Sequence, residues 1–240
     1  MKNLLQALSE NVTFVLTCLA IFAALFLVAM LVERALGSRI HRVSKPRYMA
    51  FVAMSAAVAG VLMLFEIPLF FAPEFYKIDL SEIPVMICSF YLGPVAGVLT
   101  ELLKVIIKLL MKGTTTAFVG DFANFCVGCS FAIPASILYH IRKTKKMAVV
   151  SMATGTAVMT VFGSVLNAIY LLPKFVILFG MPMDAILAMA QAVNPAVSSV
   201  STLVLFAVVP FNLIKGILIT VITFLLYKRV ERVLGRLMSK

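Results

Sequence analysis

Apolar runs of about 20 residues, enough to carry an α-helix across the hydrocarbon core of a bilayer, recur along nearly the whole of this chain. A water-soluble domain needs polar side chains to cover its surface, and here 62% of the 240 residues are apolar and only 13% charged. The chain therefore reads as an all-α, polytopic membrane helical bundle, with spans predicted at about 12–33, 47–65, 80–93, 95–111, 118–140, 147–170 and 202–227. Two of these are half-length: 80–93 and 95–111 meet at the tight turn "GPVAG". Short helices of this kind persist in a membrane when they pack on other helices around a cavity or tilt within a bundle.

The net charge of +11 would suggest nucleic acid in a soluble protein, but its distribution points to topology. Most of the 21 Lys and Arg fall in three short segments: Arg34 to Arg47, Arg142 to Lys146, and Lys228 to Lys240. Basic loops beside spans mark the cytoplasmic face, and no groove-reading motif or aromatic platform accompanies the charge. With 34–47 inside, span 47–65 leads out, and counting forward returns 140–147 and the C-terminus to the inside. The span 12–33 has only Lys2 upstream and Arg34 and Arg39 downstream. That order opposes a cleaved signal peptide and favours a retained helix with its N-terminus outside. Cys126 and Cys129 form a CxxC, but no second pair exists and the only histidines are His41 and His140. Two small residues packing a helix is the expected role.

This topology places the loops 65–82, 112–120 and 171–201 outside. The first holds Phe65, Phe70, Phe71, Phe75 and Tyr76 with Glu66, Glu74, Asp79 and Glu82 against Lys77. So many aromatic rings are expected to fold back over something apolar. Pro173, Pro182 and Pro195 argue against a single helix through 171–201, which would add to a lid or form an amphipathic cap.

Polar residues in the spans gather at one level. Asp121 and Asn124, Asn167 and Tyr170, and Asn212 and Lys215 each sit three apart on a helix near the outer leaflet, and Asp79 opens span 80–93. A lysine at membrane depth costs about 3 kcal/mol even on lenient insertion scales, so Lys215 is expected to face a cavity and not lipid. Hydrogen bonding between helices is the alternative for any single Asn; the convergence of four segments favours a site for a polar-edged organic molecule. Glu101, Lys104 and Lys108 share one face of span 95–111, where Glu101–Lys104 is expected to pair. No phosphate loop, HExxH, GxSxG or clustered aspartates are present, and nothing pairs a nucleophile with a base, so no enzymatic activity is read here. Uphill transport would draw on an ion gradient or on a partner. In "RYMAFVAMSAAVAGVLM", Ala53-x-x-x-Ala57 and Ala56-x-x-x-Gly60 are small-residue pairs that let another helix approach.

The ordered series "KIDLSEIP", "LGPVAGVLTELLK", "GDFANF", "LNAIYLLPKF" and "FNLIKG" resembles the S components of energy-coupling factor (ECF) transporters, and is most similar to the riboflavin-specific ones. The resemblance covers about 47–229. It implies a six-helix ECF S-component core, with the vitamin held near the extracellular side under the loop between its first two helices. The partners implied are a transmembrane coupling subunit (T component) and two cytoplasmic ATPase subunits, with Ala53 and Ala57 on the docking helix. Riboflavin enters as the transported ligand and not as a cofactor. By motif, Asn212, Lys215 and Asn167 are its expected contacts, with Asp79 and Asn124 carried over more weakly and Tyr76 in the loop closing over the ring. Residues 1–46 form an extra N-terminal transmembrane helix and basic linker, and 230–240 a cytoplasmic basic tail. The rival readings are an S component for another vitamin and an ion-coupled secondary transporter working through Glu101 or Asp79.

Overall fold

The computed structural model describes residues 2–40, 43–73, 76–114, 118–180 and 182–238. His41, Arg42, Glu74, Phe75 and Lys240 lie outside the described residues. The chain is a helical bundle. Its long helices are α1 (Lys2–Leu36), α2 (Lys45–Leu62), α4 (Pro94–Lys112), α5 (Val119–Ile141), α6 (Lys145–Leu166) and α10 (Val209–Met238). Shorter ones are α3 (Glu82–Leu92), α7 (Leu172–Phe179), α8 (Met183–Val193) and α9 (Val200–Leu203). Among the described residues, four helical stretches are long and apolar enough to cross a membrane.

Local chemistry sets the joints. Gly93 between α3 and α4 takes φ +106°, which a side chain would resist, and Pro94 then opens α4. The first turn of α4 is also capped from outside itself: the Glu33 carboxylate of α1 accepts from the Val95 N–H at 3.1 Å. Thr144 accepts from the Met147 N–H to start α6.

The centre of the bundle is the meeting of α3, α5, α6 and α10, where Met86, Phe131, Met152, Met159 and Ile219 are buried. The N-terminal helix α1 lies against α4 and α5, seating Ala29 in a second core and Phe22 on Phe125 at 5.8 Å between ring centres. The CxxC cysteines are free thiols buried in that same core, which fits the packing role expected of them. On α2 the two small-residue pairs divide. Ala56 and Gly60 face inward, Gly60 so close to Ile107 that a Cβ would sit 2.6 Å from it, whereas Ala53 and Ala57 are exposed.

The described residues of 65–82 and 171–201 build a cap on one end of the bundle. Two short strands, β1 (Ile67–Pro68) and β2 (Lys77–Ile78), pair antiparallel with Ile67 opposite Ile78. Ala72 and Tyr76 pack with Leu172, Ile186, Ala190, Leu203 and Val208 into a third core. The aromatic loop folds back only in part: Tyr76 is buried, while Phe65 and Phe70 are exposed on the outside of the cap.

The helix beginning at Lys145 runs on beyond 170, through α7 to Phe179, so the first part of the segment expected as external loop, 171–179, continues the helix, and the rest of its described residues form α8 and the approach to α9. A π-helical turn, Asn167–Leu171, joins α6 to α7, and a second, Val204–Val208, joins α9 to α10. Each ends two residues before a proline, Pro173 or Pro210. Proline supplies no N–H and crowds the carbonyl four residues back. Widening the preceding turn to i→i+5 bonding accommodates both defects without breaking the helix.

Candidate ligand-binding site

Beneath the cap lies a cavity with about 660 Å³ of empty space, its open mouth included. Its walls come from α5 (Gly120, Ala123, Asn124, Val127), from the first π turn and α7 (Asn167, Leu171, Phe175), from α10 (Phe211, Asn212, Lys215) and from the cap (Tyr76, Lys77). A lining that combines apolar side chains such as Val127, Leu171, Phe175 and Phe211 with the amides of Asn124, Asn167 and Asn212 and the Lys215 ammonium suits an organic molecule that carries both an apolar body and polar groups.

The π turns position the amides. Asn167 lies in the first and Asn212 follows the second, and the two turns pack against each other. Each amide is fixed in the same way, its Nδ2 donating to the backbone carbonyl four residues earlier: Gly163 for Asn167 at 2.8 Å, Val208 for Asn212 at 3.0 Å. Gly163 also gives Asn212 room, since a Cβ there would lie 3.1 Å from its Nδ2. Tyr76 donates its hydroxyl to Asn167 Oδ1 at 2.8 Å, locking the cap to the cavity wall, and its ring packs against Phe211 at 5.4 Å between centres. Burial raises the Tyr76 phenol pKa, so the hydroxyl remains a donor. Asn124 Oδ1 is buried without a hydrogen-bond partner.

Lys215 is almost fully buried and reaches the cavity from α10. Behind it stand Asp79 Oδ2 at 3.5 Å and Glu82 Oε1 at 3.6 Å. Asp79 does not line the cavity; it accepts from the Ser81 N–H and hydroxyl and acts on the site through Lys215. Five expected contacts, Asn124, Asn167, Asn212, Lys215 and Tyr76, thus surround one cavity, with Asp79 behind them.

Other polar residues expected at the same level are used elsewhere. Tyr170 packs on Phe122 and lies under the Lys174 ammonium, away from the cavity. The π turn explains this: it advances each residue through a smaller angle, so Asn167 and Tyr170 no longer share a face. Lys108 bonds Asp121 at 2.6 Å and the Gly113 carbonyl, and Thr114 bonds the other Asp121 oxygen. That cluster fixes the α4–α5 turn that carries Gly120 and Asn124 to the cavity. Glu101 pairs with Lys104 as expected, at 2.8 Å, but Glu82 joins them at 2.7 Å. Glu82, Lys77 and Phe211 are the residues spacing alone does not single out. The signal for Glu82 is an acid opening a half-length apolar helix.

The family description "ECF transporter, substrate-specific component" matches residues 47–227. The chain belongs to this family of ECF S components. Among its relatives is the riboflavin transporter FmnP of Bacillus subtilis, 32% identical over 188 residues, spanning 78% of this chain and 93% of that protein. The riboflavin transporter RibU of Staphylococcus aureus is 32% identical over 201 residues, spanning 84% and 99%. A solved structure described as the S component of a bacterial ECF transporter superimposes with a TM-score of 0.63 at 30% identity, covering 80% of this chain and 99% of its own. The apolar helices and the family make this chain a multi-pass membrane protein, and the relatives named above are riboflavin transporters.

Proposed function

We propose that this chain is the riboflavin-binding, substrate-specificity subunit of an ECF-type vitamin uptake transporter. The observation that carries the reading is the cavity in which Asn124, Asn167, Asn212 and Lys215 converge beneath the Tyr76 cap. Riboflavin has a flat tricyclic body for the wall formed by Phe175, Phe211 and Leu171, and a uracil-like edge of alternating donors and acceptors. A carboxamide can donate and accept at that edge at once, and an ammonium donates to ring oxygens or ribityl hydroxyls. A ligand lacking those groups would leave buried amides unpaired, which is the source of selectivity. The riboflavin transporters among its relatives support this choice of vitamin.

The cap faces the outside in this reading, the N-terminus is extracellular, and the basic C-terminal tail is cytoplasmic. The six-helix core spans 47–229, with 1–46 an added helix and linker and 230–240 the tail. Energy comes from two cytoplasmic ATPase subunits through a T component. Uptake that survives an uncoupler at constant ATP and stops without the ATPase module is the expected result; the opposite pattern would establish the ion-coupled alternative. Ala53 and Ala57, exposed on α2, serve docking to the T component. Ala57→Leu is expected to leave riboflavin affinity unchanged in purified protein and abolish uptake in cells carrying the module. Tyr76→Phe removes one neutral hydrogen bond, worth about 1 kcal/mol. It is expected to weaken riboflavin about fivefold in a fluorescence titration, and an unchanged affinity would mean that Tyr76 does not position Asn167.

A further inference from the structure

Behind the cavity, five buried charged side chains form one network: Asp79 before α3, Glu82 on α3, Glu101 and Lys104 on α4, and Lys215 on α10. Its two lysines are held very differently. Lys104 is fully buried, lies outside the cavity lining, and grips Glu82 at 2.7 Å and Glu101 at 2.8 Å. Lys215 lines the cavity and only approaches its acids, at 3.5 and 3.6 Å. Glu82 Oε1 is the shared atom, nearest to Lys104 and within reach of Lys215. Glu101 has little room to shift, because α5 passes so close that a Cβ on Gly128 would lie 2.4 Å from its carboxylate.

We propose that Lys104 is a positioning residue for ligand recognition: by holding Glu82 it keeps the Lys215 ammonium free to donate into the cavity. Three carboxylates face two ammonium groups in this network. Without Lys104, Lys215 becomes the sole cation for all three acids and is drawn back from the cavity edge. In a low-dielectric interior that competition is strong, because charges this close interact far more than in water. The inference rests on riboflavin as the ligand.

The test is a riboflavin titration of the full chain in detergent, in wild type, Lys104→Met and Lys104→Met/Glu82→Gln, with Tm recorded for each. Lys104→Met is expected to weaken binding about 10- to 100-fold, the range of a typical coupling between sites. Adding Glu82→Gln removes the carboxylate that competes for Lys215 and is expected to restore affinity to within about threefold of wild type. A merely structural role for Lys104 would lower Tm by stranding buried carboxylates, a loss that Glu82→Gln also relieves, so the inference requires the affinity loss in Lys104→Met protein that is still folded at the titration temperature. Wild-type affinity in Lys104→Met, or a loss that Glu82→Gln leaves in place, would overturn the inference. Failure of the wild-type chain itself to bind riboflavin would overturn the proposed function, a different result read in the same titration.

Discussion

Lys215→Met is expected to weaken riboflavin binding about 10- to 100-fold while the protein still inserts and folds. Methionine keeps the length of the lysine stem, so the packing of α10 on α6 is retained and only the ammonium is lost. A hydrogen bond from a charged donor contributes about 1.5–3 kcal/mol, and each 1.4 kcal/mol is about tenfold in affinity. Asp79 and Glu82 then lose a neighbour at 3.5 and 3.6 Å. Glu82 keeps Lys104, and Asp79 keeps the Ser81 N–H and hydroxyl, which limits the damage to stability. Comparing the affinity of this variant with its melting temperature separates the two effects. Unchanged affinity would remove Lys215 from the site; a collapse of the fold would assign it to structure.

The second large effect is on stability. Gly155 lies where α6 crosses α5, and a Cβ there would meet the Phe131 backbone oxygen at 2.7 Å and its ring at 2.9 Å. A backbone atom inside a buried helix cannot rotate away. Small residues are what allow membrane helices to approach this closely. Gly155→Leu therefore has to push α5 and α6 apart, an overpacking cost of about 1–3 kcal/mol or more. At roughly 2–4 °C per kcal/mol for chains of this size, Tm in detergent is expected to fall by about 3–10 °C. Val161→Leu on the same helix, at an exposed position, should leave Tm unchanged. Equal melting of the two variants would mean that the close α5–α6 contact contributes little.

Four of the spans, those at about 12–33, 118–140, 147–170 and 202–227, and the convergence of Asn124, Asn167, Asn212 and Lys215 were legible because both rest on one cost. Polar groups are expensive in lipid, so those embedded in apolar runs have to meet a cavity or one another. The Glu101–Lys104 pair was legible from its spacing on one helix face. Other features depend on contacts between segments. Glu82 enters the ion network only because α3 and α4 pack side by side after the Gly93 turn. Tyr170 looks like a partner of Asn167 by regular helical spacing, and the π turn sends it elsewhere. By sequence Pro173 argues against a single helix through 171–201 and Pro210 is not singled out, yet the helices run on through both after a π turn. Whether a proline ends a helix or widens it depends on what packs around it, and here the cap core seats α7 and keeps the helix going. The same cap leaves Phe65 and Phe70 on its outside, a division that composition could not make.

The most direct test of the account is a titration of riboflavin fluorescence with the purified full-length chain. Saturable quenching at one riboflavin per chain, together with flavin absorbance in protein purified from riboflavin-fed cells, is the predicted result. Protein that carries no flavin and leaves riboflavin fluorescence unchanged would contradict it.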